Sequence, residues 1–195
     1  MFVEPTDNDE ISKYVHGRFY LDNKTEMRFR DVRKFGTLHL LDDPATTLFK
    51  DIGPEPLDAS FTDEILKARL LGRSTRIKPL LLDQSFVAGC EAFVCFEFLS
   101  LQLVYILSCC FSVGNIYADE ALHRARLHPE KLASSFTDDE IARLREAIVF
   151  VLTLGIEREG ASIRDYQKAD GTQGDMQNCV EAYGRTGEKS VNLVF

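Results

Sequence analysis

Between Val15 and Leu41 apolar residues recur at every second position in stretches: Phe19 and Leu21, Met27 and Phe29, Leu38 and Leu40, with Phe35 among them. That period belongs to strands with one buried face, and Asp22-Asn23-Lys24 predicts a hairpin turn between the first two runs. Asp42–Pro56 is rich in Pro, Gly and Asp, which marks a connector and a domain boundary. Beyond it the period becomes helical. Phe61-Thr62-Asp63-Glu64 and Phe136-Thr137-Asp138-Asp139-Glu140 each place Thr at an N-cap with acids in the first turn. Thr137 and Glu140 make a capping box, and Phe136 with Ile141 a hydrophobic staple. The helix that follows carries Ile141, Leu144, Ile148, Val151 and Leu152 on one stripe and ends near Gly160. A third helix is predicted from Pro79 through Leu80-Leu81-Leu82, and a fourth from Asn115, burying Ala118, Ala121, Leu122 and Ala125. Strands followed by helices make an α+β layout.

One run fits neither period. No residue from Phe98 to Ala118 is charged, which approaches the ~20 apolar residues that a membrane span needs. Gln102, three Ser, Gly114 and Asn115 interrupt it, and Val113 onward belongs to the fourth helix, so a span is the lesser reading. Coiled as an accessory helix, Phe93 through Leu107 surround every face without a single stripe.

Composition narrows the class. With 195 residues, 45% of them hydrophobic and 28% charged, the chain is globular, with one or two domains. A net charge of −8 argues against a uniformly basic nucleic-acid binder but leaves room for a basic face. Lys67, Arg69, Arg73, Arg76 and Lys78 lie between Ile65 and Leu81 with no acid among them; Arg28, Arg30, Arg33 and Lys34 surround Asp31 alone. Such runs are most often solvated helix faces, but Phe29 and Phe35 beside the second suit nucleic acid better. Gly114-Asn115, opening a helix, adds a place where phosphate could approach free backbone N–H groups. Cys90, Cys95, Cys109, Cys110 and Cys179 lack the paired spacing of a zinc site or disulfide framework, so reduced thiols in an intracellular protein are expected. Met1–Glu10 carries four acids and does not read as a signal peptide.

Longer strings carry a resemblance. "RFRDVRKFGTLHLLDD", "IGPEPLD", "IKPLLLDQSFVAG", "VGNIYADEALHRARLHPEKLASS", "GASIRDYQKADGTQGDMQ" and "VEAYGRTGE" occur in that order. Together they resemble the formamidopyrimidine-DNA glycosylase family, base-excision repair enzymes related to endonuclease VIII, over nearly the whole chain except residues 90–112. The resemblance implies part of an N-terminal β-sandwich domain over residues 1–53 and an all-α helix-two-turn-helix DNA-binding domain over 54–178. Residues 179–195 would lead toward the family's zinc finger. It implies DNA contacts at Arg33, Phe35, Arg73, Lys78, Gly114, Asn115 and Tyr183. Phe35 would wedge into the base stack and Arg33 would face the orphaned base, while Lys78, Asn115 and Tyr183 would hold phosphates. Ser162, Ile163, Arg164, Asp165 and Tyr166 would belong to the loop that holds the everted purine. Tyr14 stands where the family commonly has a DNA-contacting His.

Three departures qualify what is carried over. The family's nucleophile is an N-terminal proline amine followed by glutamate, whereas this chain begins Met1-Phe2-Val3, and Pro5 has an amide nitrogen. No catalytic residue is therefore assigned. The family's four-cysteine finger follows the "YGR-x-GE" string, but here that string ends at Glu188 and Lys189-Ser190 follow, so no metal ligand and no cofactor is assigned. Removing Cys90–Ser112 joins the flanks as "FVAG-VGNIYADE", so these residues read as an insertion, from an altered gene model, that lowers solubility. The expected function is damaged-DNA binding in base-excision repair, resembling a glycosylase/AP lyase that removes oxidised purines and nicks the abasic site. The alternatives are a catalytically inactive module for distorted or abasic DNA, or a membrane-anchored protein. A monomer acting on double-stranded damaged DNA is expected, intracellular in cytoplasm, nucleoid or nucleus.

Overall fold

A computed structural model describes residues 2–5, 13–20, 22, 25–30, 37–41, 51–88, 93–96, 103–107, 114–158, 160 and 174–188. Among them the order is β1 (Phe2–Pro5), β2 (Val15–Tyr20), β3 (Thr25–Arg30), β4 (Thr37–Leu41), α1 (Asp63–Leu70), α2 (Ile77–Leu81), β5 (Phe93–Phe96), β6 (Leu103–Leu107), α3 (Asn115–Ala125) and α4 (Asp138–Glu157). The architecture is α+β. The chain divides into two compact units, one of Met1–Thr37 and Gly155–Cys179, the other of Leu38–Leu154 and Val180–Phe195.

In the first unit β1, β3 and β2 form an antiparallel sheet with β3 in the centre. β2 and β3 flank the predicted turn and pair Tyr20 with Glu26 and Phe19 with Met27. β1 carries no alternation long enough to be read from sequence; Pro5 is tolerated because it sits on an edge strand. On β3, Phe29 is buried, and so are Glu26 and Arg28, two residues apart on one face. Arg18 donates from Nε and an Nη to the Glu26 carboxylate at 2.8 and 2.6 Å, and Arg28 Nε donates to it at 2.6 Å. A buried charge is tolerable only with partners, and Glu26 has two guanidiniums.

The second unit is mainly helical. Thr62 caps α1, accepting from the Ile65 amide at 3.4 Å. Thr137 and Glu140 form the predicted capping box on α4: the Thr137 amide donates to Glu140 Oε2 at 2.9 Å and the Glu140 amide to Thr137 Oγ1 at 3.3 Å. The predicted α4 stripe of Ile141, Leu144, Ile148, Val151 and Leu152 is buried, as are Ala118, Ala121, Leu122 and Ala125 on α3. Leu66 and Leu70 of α1, Ile77, Leu80 and Leu81 of α2, and Phe86 and Val87 are buried with them.

Two expectations are corrected. The third helix starts at Ile77, not Pro79. Pro79 is its third residue, where the absent N–H is still one of those a helix leaves unbonded at its start. The run read as an accessory helix or span instead contributes β5 and β6, an antiparallel pair with Phe93 opposite Leu107 and Phe96 opposite Val104. They lie in a sheet of order β4-β6-β5. A dense apolar run rich in β-branched and aromatic residues satisfies a strand on either face, which is why no helical stripe emerged. Among the described residues no helix is long and apolar enough to cross a membrane.

Candidate nucleic-acid interface

The start of α2 is fixed from outside the helix. Its first two amides, Ile77 and Lys78, donate to the carbonyls of Lys131 and Pro129 at 2.9 and 3.2 Å. The pairing continues backwards through the Arg76–Leu132 bridge, Ala133 to the Thr75 carbonyl and Ser134 to the Arg73 carbonyl. Residues 73–78 thus run antiparallel to 129–134, the segment that follows α3. The first donors at this helix start are spent within the protein, so the α2 backbone offers no free N–H at Ile77 or Lys78.

The five-residue basic run is less free than its sequence suggests. Lys67 pairs with Asp138, Arg76 with Glu130 at 2.7 Å, and Lys78 with Asp119 at 2.6 Å. Arg69 donates to the Phe86 carbonyl at 2.6 Å and to the Ser85 carbonyl. Arg73 Nε donates to the Arg69 carbonyl at 2.9 Å, its guanidinium lies 5.4 Å from the centre of the Phe86 ring, and its charge, like that of Arg69, acts on the Asp83 carboxylate. Unlike Lys67, Arg76 and Lys78, Arg73 forms no close ion pair among the described residues, which suits a phosphate contact. Asp83 accepts from the Ser85 hydroxyl and amide at 2.7 and 2.9 Å, bonds that hold its carboxyl below the usual range.

α3 opens with Gly114 as its N-cap in extended conformation, a residue with no side chain of its own to cap the helix. Asn115, its first residue, is exposed. The first turn therefore presents its positive end, with the Asn115 amide group beside it. One turn on, Asp119 reaches Lys78, so both predicted phosphate ligands are tied by one ion pair. Glu120 is buried and does something no local pattern announces. Its carboxylate accepts the backbone N–H groups of Glu181, Ala182 and Tyr183 at 2.8, 2.9 and 2.8 Å. The helix that carries Asn115 thereby fastens the segment that carries Tyr183.

Lys78, Gly114, Asn115, Arg73 and Tyr183 are thus all placed in the helical unit, the first three joined through α3. Asp119 and Glu120, which were not singled out from sequence, join the arrangement. Arg33, Phe35 and the loop residues Ser162, Ile163, Arg164, Asp165 and Tyr166 lie outside the described residues. Cys179 is a free, half-buried cysteine, and one thiolate does not make the four-ligand site of a zinc finger. No group of three metal-ligating side chains occurs among the described residues.

Comparison with known proteins adds the following. Residues 108–167 match the family described as Formamidopyrimidine-DNA glycosylase H2TH domain. The formamidopyrimidine-DNA glycosylase of Desulforamulus reducens is 42% identical over 180 residues, covering 91% of this chain and 57% of that protein. That of Brevibacillus brevis is 40% identical over 184 residues, covering 93% and 58%. Among solved structures, Lactococcus lactis Fpg in complex with DNA containing an abasic site superposes with a TM-score of 0.76 at 31% identity, covering 97% of this chain and 62% of that one. A mutant of the same protein bound to Fapy-dG DNA gives 0.76 at 32% identity, with the same coverage. The chain therefore spans about three fifths of the length of the relatives it matches.

Proposed function

The chain belongs to the formamidopyrimidine-DNA glycosylase family, and on that premise we propose that it binds damaged or abasic duplex DNA in base-excision repair. The observation that carries the reading is the Lys78–Asp119 pair. It sets a cation at the start of α2 against the uncapped start of α3 with Asn115, two phosphate-seeking groups on one rigid support. Tyr183 joins them through the Glu120 carboxylate, and Arg73 supplies a further cation. Phe35 as the wedge, Arg33 against the orphaned base and Ser162–Tyr166 over the everted purine enter the proposal through the family resemblance.

Phosphate neutralisation releases counterions, so affinity falls with salt in proportion to the contacts made. Replacing Lys78 by Ala is expected to weaken binding to abasic duplex and to lower the log–log salt slope by about one. Titration by fluorescence anisotropy at several salt concentrations measures both. An unchanged slope, or equal affinity of the wild type for abasic and intact duplex, overturns the reading. Base removal and strand nicking, the family's chemistry, require an amine that attacks the sugar. Borohydride trapping on abasic duplex separates the two forms of the proposal: a covalent adduct marks a lyase, and binding without one marks a recognition module.

A further inference from the structure

At the end of α3 remote from Asn115 lies a cavity of about 340 Å³ lined by Arg124, Arg126, Arg143, Glu146, Ala147 and Glu181. The helix closes there in a Schellman turn: the Arg126 amide donates to the His123 carbonyl at 3.1 Å and the Leu127 amide to the Leu122 carbonyl at 3.0 Å. The pivot of that turn needs a left-handed backbone, and Arg126 adopts φ 57°. Glycine takes this conformation freely and a side chain resists it, so an arginine is held here against its backbone preference.

The three guanidiniums are held in different ways. Arg124 is stacked on Phe150, 3.4 Å from the ring centre. Arg143 is steadied by Asp139 at 2.8 Å. Neither Arg124 nor Arg126 forms an ion pair among the described residues, although Glu146 and Glu181 line the same cavity. Glu181 instead lies 3.7 Å from His123 Nδ1. In a chain with more acids than bases, two cations at one opening without a carboxylate partner among the described residues are out of keeping with their surroundings.

We propose that this cavity binds a sugar phosphate, either a free nucleotide or the sugar-phosphate unit of a nucleic-acid strand. Guanidinium forks match phosphate oxygens in pairs, and stacking on Phe150 preorganises one of them. Glu146 and Glu181 accept hydrogen bonds and repel a bare polyanion, so the phosphate is best carried on a group with hydroxyl or amino donors. The site stands about 15 Å along α3 from Asn115, at the 1.5 Å rise of a helical residue, and is separate from the proposed phosphate grip. It does not depend on that proposal.

The test is calorimetric titration of the full chain with deoxyadenosine monophosphate and, separately, with inorganic phosphate. Arg126→Gly suits the left-handed turn and removes only the guanidinium, so its melting temperature is not expected to fall. Arg124→Met is the second variant. Saturable nucleotide binding, tighter than that of inorganic phosphate and weakened about tenfold or more by each variant, is the expected result. A short intact duplex that displaces the nucleotide identifies a strand as the source; a duplex that leaves it bound identifies the free nucleotide. No saturable binding overturns the proposal. So does nucleotide affinity unchanged in both folded variants, or inorganic phosphate bound as tightly as the nucleotide.

Discussion

A methyl group on Gly53 has no space to occupy. A Cβ there would stand 2.7 Å from the Phe86 carbonyl carbon and oxygen and 2.8 Å from the Val87 amide nitrogen, all backbone atoms. The Gly53 amide also donates to the Gln84 carbonyl at 2.8 Å, so the two segments cannot part without losing that bond. Gly53→Ala is expected to cost roughly 1–3 kcal/mol, measured by denaturant unfolding. Glu26 makes a pH-dependent contribution. Hydrogen bonds from Arg18 and Arg28, aided by their charges and opposed by burial, lower its pKa from 4.5 to about 2. A depressed carboxyl pKa stabilises the fold fully above the unfolded value and loses that contribution as pH falls through the folded one. Stability should therefore decline between pH 4.5 and about 2, more steeply in the wild type than in Glu26→Gln, as followed by circular dichroism. Single residues were the least legible scale. Lys78 and Asn115 emerged through a family string, whereas Glu120 meets its partners 61 to 63 residues away and leaves no local signature.

At the scale of elements, the two Thr caps allow a comparison. The capping box on α4 has reciprocal bonds of 2.9 and 3.3 Å, while Thr62 on α1 makes one of 3.4 Å. Thr137→Ala is expected to cost about 1 kcal/mol, and Thr62→Ala measurably less, in thermal unfolding monitored by helicity. Caps and stripes were readable because their chemistry is contained within a few residues. The start of α2 was not, because Ile77 and Lys78 are anchored by carbonyls of residues 129–131, far along the chain. The β5–β6 pair escaped for a different reason: where every position is apolar, neither a two-residue nor a 3.6-residue period survives to be measured.

For the whole molecule, the relation of α2 to α3 rests on the pairing of residues 73–78 with 129–134, not on the chain that joins the helices. A protein nicked at an engineered protease site between residues 97 and 102 is expected to remain one particle in native size-exclusion chromatography. It should separate into two fragments only under denaturing conditions, and should keep its affinity for abasic duplex. The order of strands before helices was visible as a change of period, whereas the division of the chain, which falls between Thr37 and Leu38 and again after Leu154, carries no compositional mark. The rungs between 73–78 and 129–134 close a ring around everything from Pro79 to His128. Extra sequence spliced into that ring lengthens a circuit already shut, at an entropic cost that grows only logarithmically. Chain length can thus vary inside the ring while the rungs that seat Lys78 stay in place.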